Sequence, residues 1–148
     1  MSGFYGEAGV QIRRVERVTN SIPQSTQGVL FTVTGRVKIV DIIGEVTSQI
    51  QNQPNNIKLI ANPTVGADVD LCVTVDIDND TVGTLYSLSG TFANAMIKTT
   101  SGAFEGQANR FAVANGTLDL SCSASSTGAI KWTVLYNPLD AGSEIVAA

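Results

Sequence analysis

Hydrophobic and polar residues alternate strictly across residues 69–77, in the middle of the chain. Val69, Leu71, Val73, Val75 and Ile77 are apolar, and the positions between them hold Asp, Cys, Thr and Asp. Side chains of a strand point alternately to opposite faces, whereas a helix would scatter both sets around its axis. The pattern predicts one continuous strand with a buried face and a solvated face.

Several other runs are rich in β-branched and aromatic residues, which favour strands. They are 29–34, 36–43, 56–62 and 129–136, with shorter candidates at 84–90, 92–100, 110–114 and 117–123. The best helical candidate, EVTSQIQNQ at 45–53, is disfavoured by its β-branched Val46 and Thr47. The sequence predicts an all-β fold, an antiparallel β-sandwich or jelly-roll-like barrel, with one short helix at most.

The dipeptide Asn115-Gly116 separates two of the shorter candidates, RFAVA and TLDLS. Asn-Gly between strand-like runs is a strong signal for a tight hairpin turn, in which both central residues take positive φ. The sequence therefore predicts that these two runs pair as a hairpin.

The length of 148 residues suits one domain. We assign residues 28–148 to a single β-sandwich domain, and residues 1–27 to an extended N-terminal arm with a candidate first strand. The first nine residues include three glycines and show no periodicity, and the last run, AGSEIVAA, is small and apolar. Both ends are expected to be loose in a monomer or to lie on a neighbouring molecule.

The net charge and the hydropathy of the chain limit the classes of partner that it is expected to bind. The net charge is −4, so the chain repels phosphate backbones and nucleic-acid binding is not expected. No window approaches the ~18 apolar residues of a membrane span, and no secretory signal is evident, so we expect a soluble protein made in the cytoplasm.

Catalytic chemistry has few candidates. The chain has no histidine, which removes the Ser–His pair and the commonest general base and metal ligand. Cys72 and Cys122 cannot make a zinc site alone and are expected to be separate thiols. Asp119 is predicted on the solvated side of its strand, and nothing places two carboxylates across a cleft as a glycosidase requires. The sequence predicts no enzyme and no cofactor.

The segment DIDND carries three acids, Asp76, Asp78 and Asp80. A helix–loop–helix calcium site is excluded, because its required Gly and Glu positions hold Thr81 and Ser87. A looser calcium site would need a turn after Asn79 that curls the third acid back, since alternate residues of a strand are roughly 6.5–7 Å apart. The spacing favours a solvated strand edge with a turn cap, and no metal is predicted.

Trp132 alternates with Ile130 and Val134 in the run AIKWTVLY. This spacing favours a core aromatic, and the alternative is an interface or a platform for sugar.

Three stretches bear a resemblance to a known class. They are VTGRVKIVDIIGEVT (33–47), KLIANPTVGADVDLCVTVDIDNDTVGTLYSLSG (58–90) and STGAIKWTVLYNPLDAGSEIVAA (126–148). Together they resemble small β-rich virion proteins of tailed bacteriophages, of the capsid decoration or cement type. The motifs are turns, strand alternation and a small-residue tail, and they cover residues 28–148.

The resemblance implies a structural protein, commonly a homotrimer, on the outer surface of an icosahedral phage head. Its partners would be the major capsid protein and further copies of itself, and its role would be to stabilise the head against internal DNA pressure. Its location would be the capsid surface of the virion, after synthesis in the host cytoplasm.

Aromatic and arginine side chains are the usual anchors of interfaces, and extended arms can add a strand to a partner sheet. The expected capsid-contact residues are Phe4, Tyr5, Ile12, Arg13, Arg14 and Arg17. Alternatively, QIRRVERV is simply the first strand, with its arginines in water.

Two other functions stay open. A tail, fibre or head-knob module that binds host-surface glycans requires accessible aromatics, with Trp132, Tyr86 and Tyr136 as candidates. A hydrolase without histidine would depend on Asp76, Asp78 and Asp119.

Overall fold

The structure is a computed structural model that describes residues 11–19 and 21–148. Within these residues the chain forms twelve strands and no helix. The strands are β1 (Arg13–Thr19), β2 (Gln27–Thr34), β3 (Val37–Ser48), β4 (Asn56–Pro63), β5 (Val69–Asp70), β6 (Val75–Asp76), β7 (Leu85–Ser87), β8 (Ile97–Thr99), β9 (Phe111–Val113), β10 (Gly116–Cys122), β11 (Ala129–Pro138) and β12 (Glu144–Ala147).

The strands make two antiparallel sheets of six strands each. Sheet one has the order β1-β11-β3-β7-β8, and β9 also pairs with β3. Sheet two has the order β12-β2-β10-β4-β5, and β6 also pairs with β4. The predicted all-β antiparallel sandwich is confirmed.

The centre of sheet one is the long pair of β3 and β11, whose register runs from Ala129 opposite Ser48 to Pro138 opposite Val37. Trp132 of β11 is fully buried and stacks on Tyr86 of β7, with ring centroids 6.1 Å apart. The ring lies over Gly44 of β3, where an added Cβ would come within 2.7 Å of it. Trp132 is therefore a core residue, as its alternation predicted.

Inner-face side chains of both sheets form one continuous core, to which β2, β3, β4, β10 and β11 contribute most of the buried aliphatic residues. Each fully buried Val, Leu, Ile or Phe contributes roughly 1.5–3 kcal/mol relative to exposure. The core thus holds the central strands of the two sheets together, and the edge strands and loops supply most of the exposed side chains.

The prediction of one strand over residues 69–77 is wrong. Of this stretch, only the short strands β5 and β6 pair with β4, and the chain between them turns away from the sheet. The Val73 N–H donates to the Asn94 carbonyl at 2.8 Å, and the Val73 carbonyl accepts from the Met96 N–H at 2.9 Å. Because of this detour Leu71 and Cys72 are both buried, although they are adjacent, and Val69 and Val73 are exposed.

The predicted hairpin at Asn115-Gly116 is also wrong. β9 belongs to sheet one and β10 to sheet two, so the dipeptide is a crossover between sheets. Asn115 does not take the predicted positive φ, whereas Gly116 does, at 157°. Glycine is needed here for space, since a Cβ on Gly116 would lie 2.3 Å from the Asn62 carbonyl oxygen.

The remaining differences concern segment ends. The helical candidate at 45–53 is wrong, because Glu45 to Ser48 form the end of β3. The C-terminal run is not loose, because β12 pairs with β2 and Ile145 is buried. The candidate first strand forms as β1, which pairs with β11 from Arg13 to Thr19. The first ten residues of the arm lie outside the described part of the chain.

Candidate functional site

The free edges of the two sheets meet on one side of the sandwich. β1 pairs only with β11, and β12 pairs only with β2, among the residues that the structure describes. The Arg17 side chain of β1 donates to the Val29 carbonyl and, at 3.1 Å, to the Leu30 carbonyl of β2. The same Leu30 carbonyl accepts the Ala148 N–H at 3.0 Å, just after β12. Arg17 therefore joins the two sheets where β12 ends.

We call this surface the open edge: β1 with Ile12, β12, and Val29 of β2. It exposes four aliphatic side chains, which are between 41% and 54% accessible. They are Ile12, Val18, Val29 and Val146. A strand edge that also exposes apolar side chains is suited to pairing with another chain.

The open edge carries three arginines, all in β1, and two glutamates, Glu16 of β1 and Glu144 of β12. Arg13 and Arg14 are exposed, and Arg14 forms an ion pair with Glu16 at 2.9 Å between Nη1 and Oε2. Arg17 is half-buried by its bonds to β2. An exposed pair of this kind contributes little to stability, so the arginines remain available to a partner.

The structure thus brings together four of the six expected contact residues, Ile12, Arg13, Arg14 and Arg17. Phe4 and Tyr5 lie outside the described residues. The alternative interpretation, a first strand with solvated arginines, fits Arg13 and Arg14, whereas Arg17 has a structural role. Sequence reasoning missed Val18, Val29 and Val146, because only the strand pairing shows that they lie beside the free edges. By register Val18 points outward from sheet one, whereas Val29 and Val146 point outward from sheet two.

The acidic segment is a hydrogen-bonded turn. The Asp76 Oδ1 atom accepts the Asn55 and Asp78 backbone N–H groups, each at 3.0 Å. Asn79 takes a positive φ of 59° and turns the chain back, so that Asp80 is buried. The turn cap predicted for this segment is present at Asp76, but Asp80 is not solvated as predicted.

Asp80 is neutralised from within the chain. Its Oδ2 accepts the Tyr86 hydroxyl at 2.5 Å, and its Oδ1 accepts the Lys98 ammonium at 3.0 Å. The ammonium also donates to the Asp76 carbonyl at 2.8 Å, where a cation would otherwise bind. Burial, then the hydrogen bond to Asp80, raises the pKa of Tyr86 well above its ordinary value. The segment is therefore held by Lys98 rather than arranged for calcium.

Other chemical groups are separated or shielded. Cys72 and Cys122 are buried free thiols, as expected. Burial raises the pKa of Cys122 to about 12 and also raises the pKa of Cys72, which disfavours the reactive thiolate. Across residues 11–19 and 21–148, no three Cys, Asp or Glu side chains come together as a metal site.

Asp119 is buried, contrary to the prediction of a solvated position. Only 2% of its surface is accessible, and Oδ2 accepts the side-chain amides of Gln27 at 2.7 Å and Asn62 at 3.2 Å. The two amides come from β2 and β4, on either side of β10. Asp119 therefore does not face Asp76 or Asp78 across a cleft.

A small apolar cavity of about 190 Å³ opens between the ends of β4 and β9. Its lining includes Pro63, Val69, Leu71, Phe92 and Val113, and it contains no ionisable side chain. Phe92 packs edge-on against Phe111, with centroids 5.2 Å apart. The cavity can accept an apolar group but supplies no acid or base.

The aromatic residues proposed for glycan binding are not accessible. Trp132 and Tyr86 are fully buried, and Tyr136 is buried in the same core. None of the three can act as a stacking platform for sugar without opening of the sandwich.

Comparison of the chain with models of known protein families finds no match, and comparison with curated proteins also finds none. In the described part of the chain, no helix has the length and hydrophobicity needed to cross a membrane.

Proposed function

We propose that this chain is a virion structural protein that binds the outer surface of an icosahedral phage head as a capsid decoration protein. In this role it acts by adhesion and carries out no reaction. Its partners are the major capsid protein and further copies of itself, assembled as homotrimers on the capsid surface.

The observation that carries the proposal is the open edge. It combines the unpaired edges of two neighbouring strands with two exposed arginines and with four exposed aliphatic side chains beside these edges. Exposed apolar surface together with arginine is typical of protein–protein contacts. The net charge of −4 makes this arginine-bearing side electrostatically distinct from the chain as a whole.

Adhesion of this kind depends on many identical weak contacts acting together. A contact on one subunit of a trimer raises the effective concentration of the other two at their sites, so weak individual contacts give firm overall binding. Each bound trimer then bridges neighbouring coat subunits, and many such bridges oppose rupture of a closed shell.

The test is retention on particles. Tagged wild-type chain and the variant Arg13→Glu are produced in cells making phage particles from the genome that encodes the chain, and the particles are purified through a density gradient. Arg13 is exposed and forms no ion pair within the described structure, so we expect its charge reversal to reduce the bound chain about tenfold or more.

Lys38→Glu is the matched control, because it makes the same charge change at an exposed position on β3, inside sheet one. It should stay bound like the wild type. Equal retention of all three chains would exclude the open edge as the contact, and absence of the wild-type chain from particles would contradict the proposed function itself.

A further inference from the structure

The outer face of sheet two carries a polar cluster whose central residue is a buried aspartate, Asp119. Asp119 lies opposite Val29 of β2 and Ile60 of β4, on the middle strand of the sheet. Gln27 and Asn62 are its diagonal neighbours on these strands, two positions further along, and their amides close over it. The pairing of β10 with β2 skips Leu30, which is the extra residue of a bulge in β2 between the partners of Leu118 and Asp119.

The charge of this cluster is not balanced. Asp119 is 2% accessible, and its Oδ1 atom is buried without a hydrogen-bond partner. Its hydrogen bonds come from neutral amides, and the nearby Lys58 ammonium is paired with Asp70 at 2.8 Å. A buried carboxylate normally has a cation or a full set of donors.

A second carboxylate faces the first. The Gln27 Nε2 atom lies 2.7 Å from the Asp119 Oδ2 and 3.1 Å from the Asp68 Oδ2. One amide nitrogen therefore donates to both carboxylates, which places Asp68 and Asp119 within reach of a shared ligand. Asp68 is exposed, so water has access from its side.

We propose that Asp119, Asp68, Gln27 and Asn62 form a calcium-binding site. Half a turn of each terminal amide exchanges its nitrogen for its oxygen, so that the cluster offers two carboxylates and two amide oxygens as ligands once the Gln27 side chain moves aside for the ion. Calcium binds such oxygens at about 2.3–2.6 Å and completes its shell with water. With two carboxylates the affinity is modest, about 0.1–1 mM, in the range of weak calcium modules.

The site would tie together parts of the chain that are distant in sequence. Gln27 is the first residue of β2, Asp68 directly precedes β5, and Asp119 belongs to the central strand β10. Binding to the folded state alone raises the free energy of unfolding with the logarithm of the ratio of free calcium to Kd.

The experiment is thermal melting of the full chain after chelation, with and without 10 mM CaCl₂, supported by titration calorimetry with CaCl₂. The wild type should bind one calcium ion per chain and melt about 3–10 °C higher with calcium. Asp119→Asn and Asp68→Asn should each abolish both effects. Asp68 is exposed, so its variant tests the site even where Asp119→Asn does not fold.

Two variants serve as controls. Asp70→Asn removes an adjacent carboxylate that pairs with Lys58, and Asp78→Asn removes an acid of the DIDND turn. Both should keep the calcium response of the wild type. The proposal is overturned if the wild type shows neither heat nor a melting shift, if the response survives in the Asp68 and Asp119 variants, or if Asp78→Asn abolishes it.

Discussion

At the residue scale, the sandwich depends on a few close contacts in which the size or hydrogen bonding of one residue restricts which residue can occupy the neighbouring position. Gly44 leaves space for the Trp132 ring, and Gly116 leaves space for the Asn62 carbonyl. The Tyr86 hydroxyl donates a hydrogen bond to the buried Asp80 carboxylate. These residues come from strands or turns far apart in sequence. Their effects on stability can therefore be tested one at a time.

The contact between Gly44 and Trp132 predicts a specific cost. In Gly44→Ala the new Cβ meets three ring atoms at 2.7–2.9 Å, and the buried indole has no free space to move into. We expect the free energy of unfolding to fall by about 1–3 kcal/mol, measured by urea denaturation. Gly106→Ala is the control, since its nearest neighbour would be at 3.5 Å, and it should change stability by less than about 0.5 kcal/mol. Equal effects in both variants would contradict the packing described.

The buried thiol of Cys122 predicts a loss of stability at alkaline pH. Its pKa is raised to about 12 in the fold but is about 8.5–9 in the unfolded chain. The contribution of this thiol to the free energy of unfolding is fully present below about pH 8.5. It falls as the pH rises, because over this range only the unfolded chain releases the thiol proton. Between pH 8.5 and 10.5 the wild type should lose about 2 kcal/mol more than Cys122→Ala, whose other titrating groups are the same. Parallel pH profiles of the two chains would rule this out.

At the element scale, the edge strands β1 and β12 decide what the surface offers. β12 covers the second half of β2, and Arg17 of β1 bonds to the carbonyls just beyond it. The C-terminal run thus belongs to the fold and contributes to the open edge.

The packing of β12 predicts opposite outcomes for adjacent residues. Ile145 is 3% accessible and belongs to the core, so Ile145→Ala should cost about 2–4 kcal/mol by urea denaturation. Val146 points to solvent, so Val146→Ala should cost less than about 1 kcal/mol. Similar small losses for both would mean that the C-terminal run is loose in solution.

Local patterns predicted the long strands well, because β2, β3, β4 and β11 each bury one face in the common core. They failed where an N–H and C=O pair bonds outside the sheet, as at Val73, and where a glycine is needed for space, as at Gly116. Alternation correctly put Asp119 opposite the core face. It could not show that Gln27, 92 residues earlier, and Asn62, 57 residues earlier, would cover it.

At the scale of the whole molecule, the chain is a β-sandwich, and the proposed function assigns adhesion to its open edge. The candidate contact residues that the structure describes all lie in or beside β1, and the exposed apolar side chains of β2 and β12 lie on the outer face of sheet two beside the same edge. The polar cluster around Asp119 lies on the outer face of sheet two, next to Val29 of the open edge. The two proposals are therefore tested with different residues, Arg13 for capsid binding and Asp68 for calcium.

The most direct measurement of the proposed function is the number of copies of this chain per purified phage particle, determined by quantitative mass spectrometry and located by electron cryo-microscopy. The account predicts hundreds of copies on the outer surface of the head, grouped as trimers. A copy number of about a dozen at a vertex or tail, or particles without the chain, would contradict it.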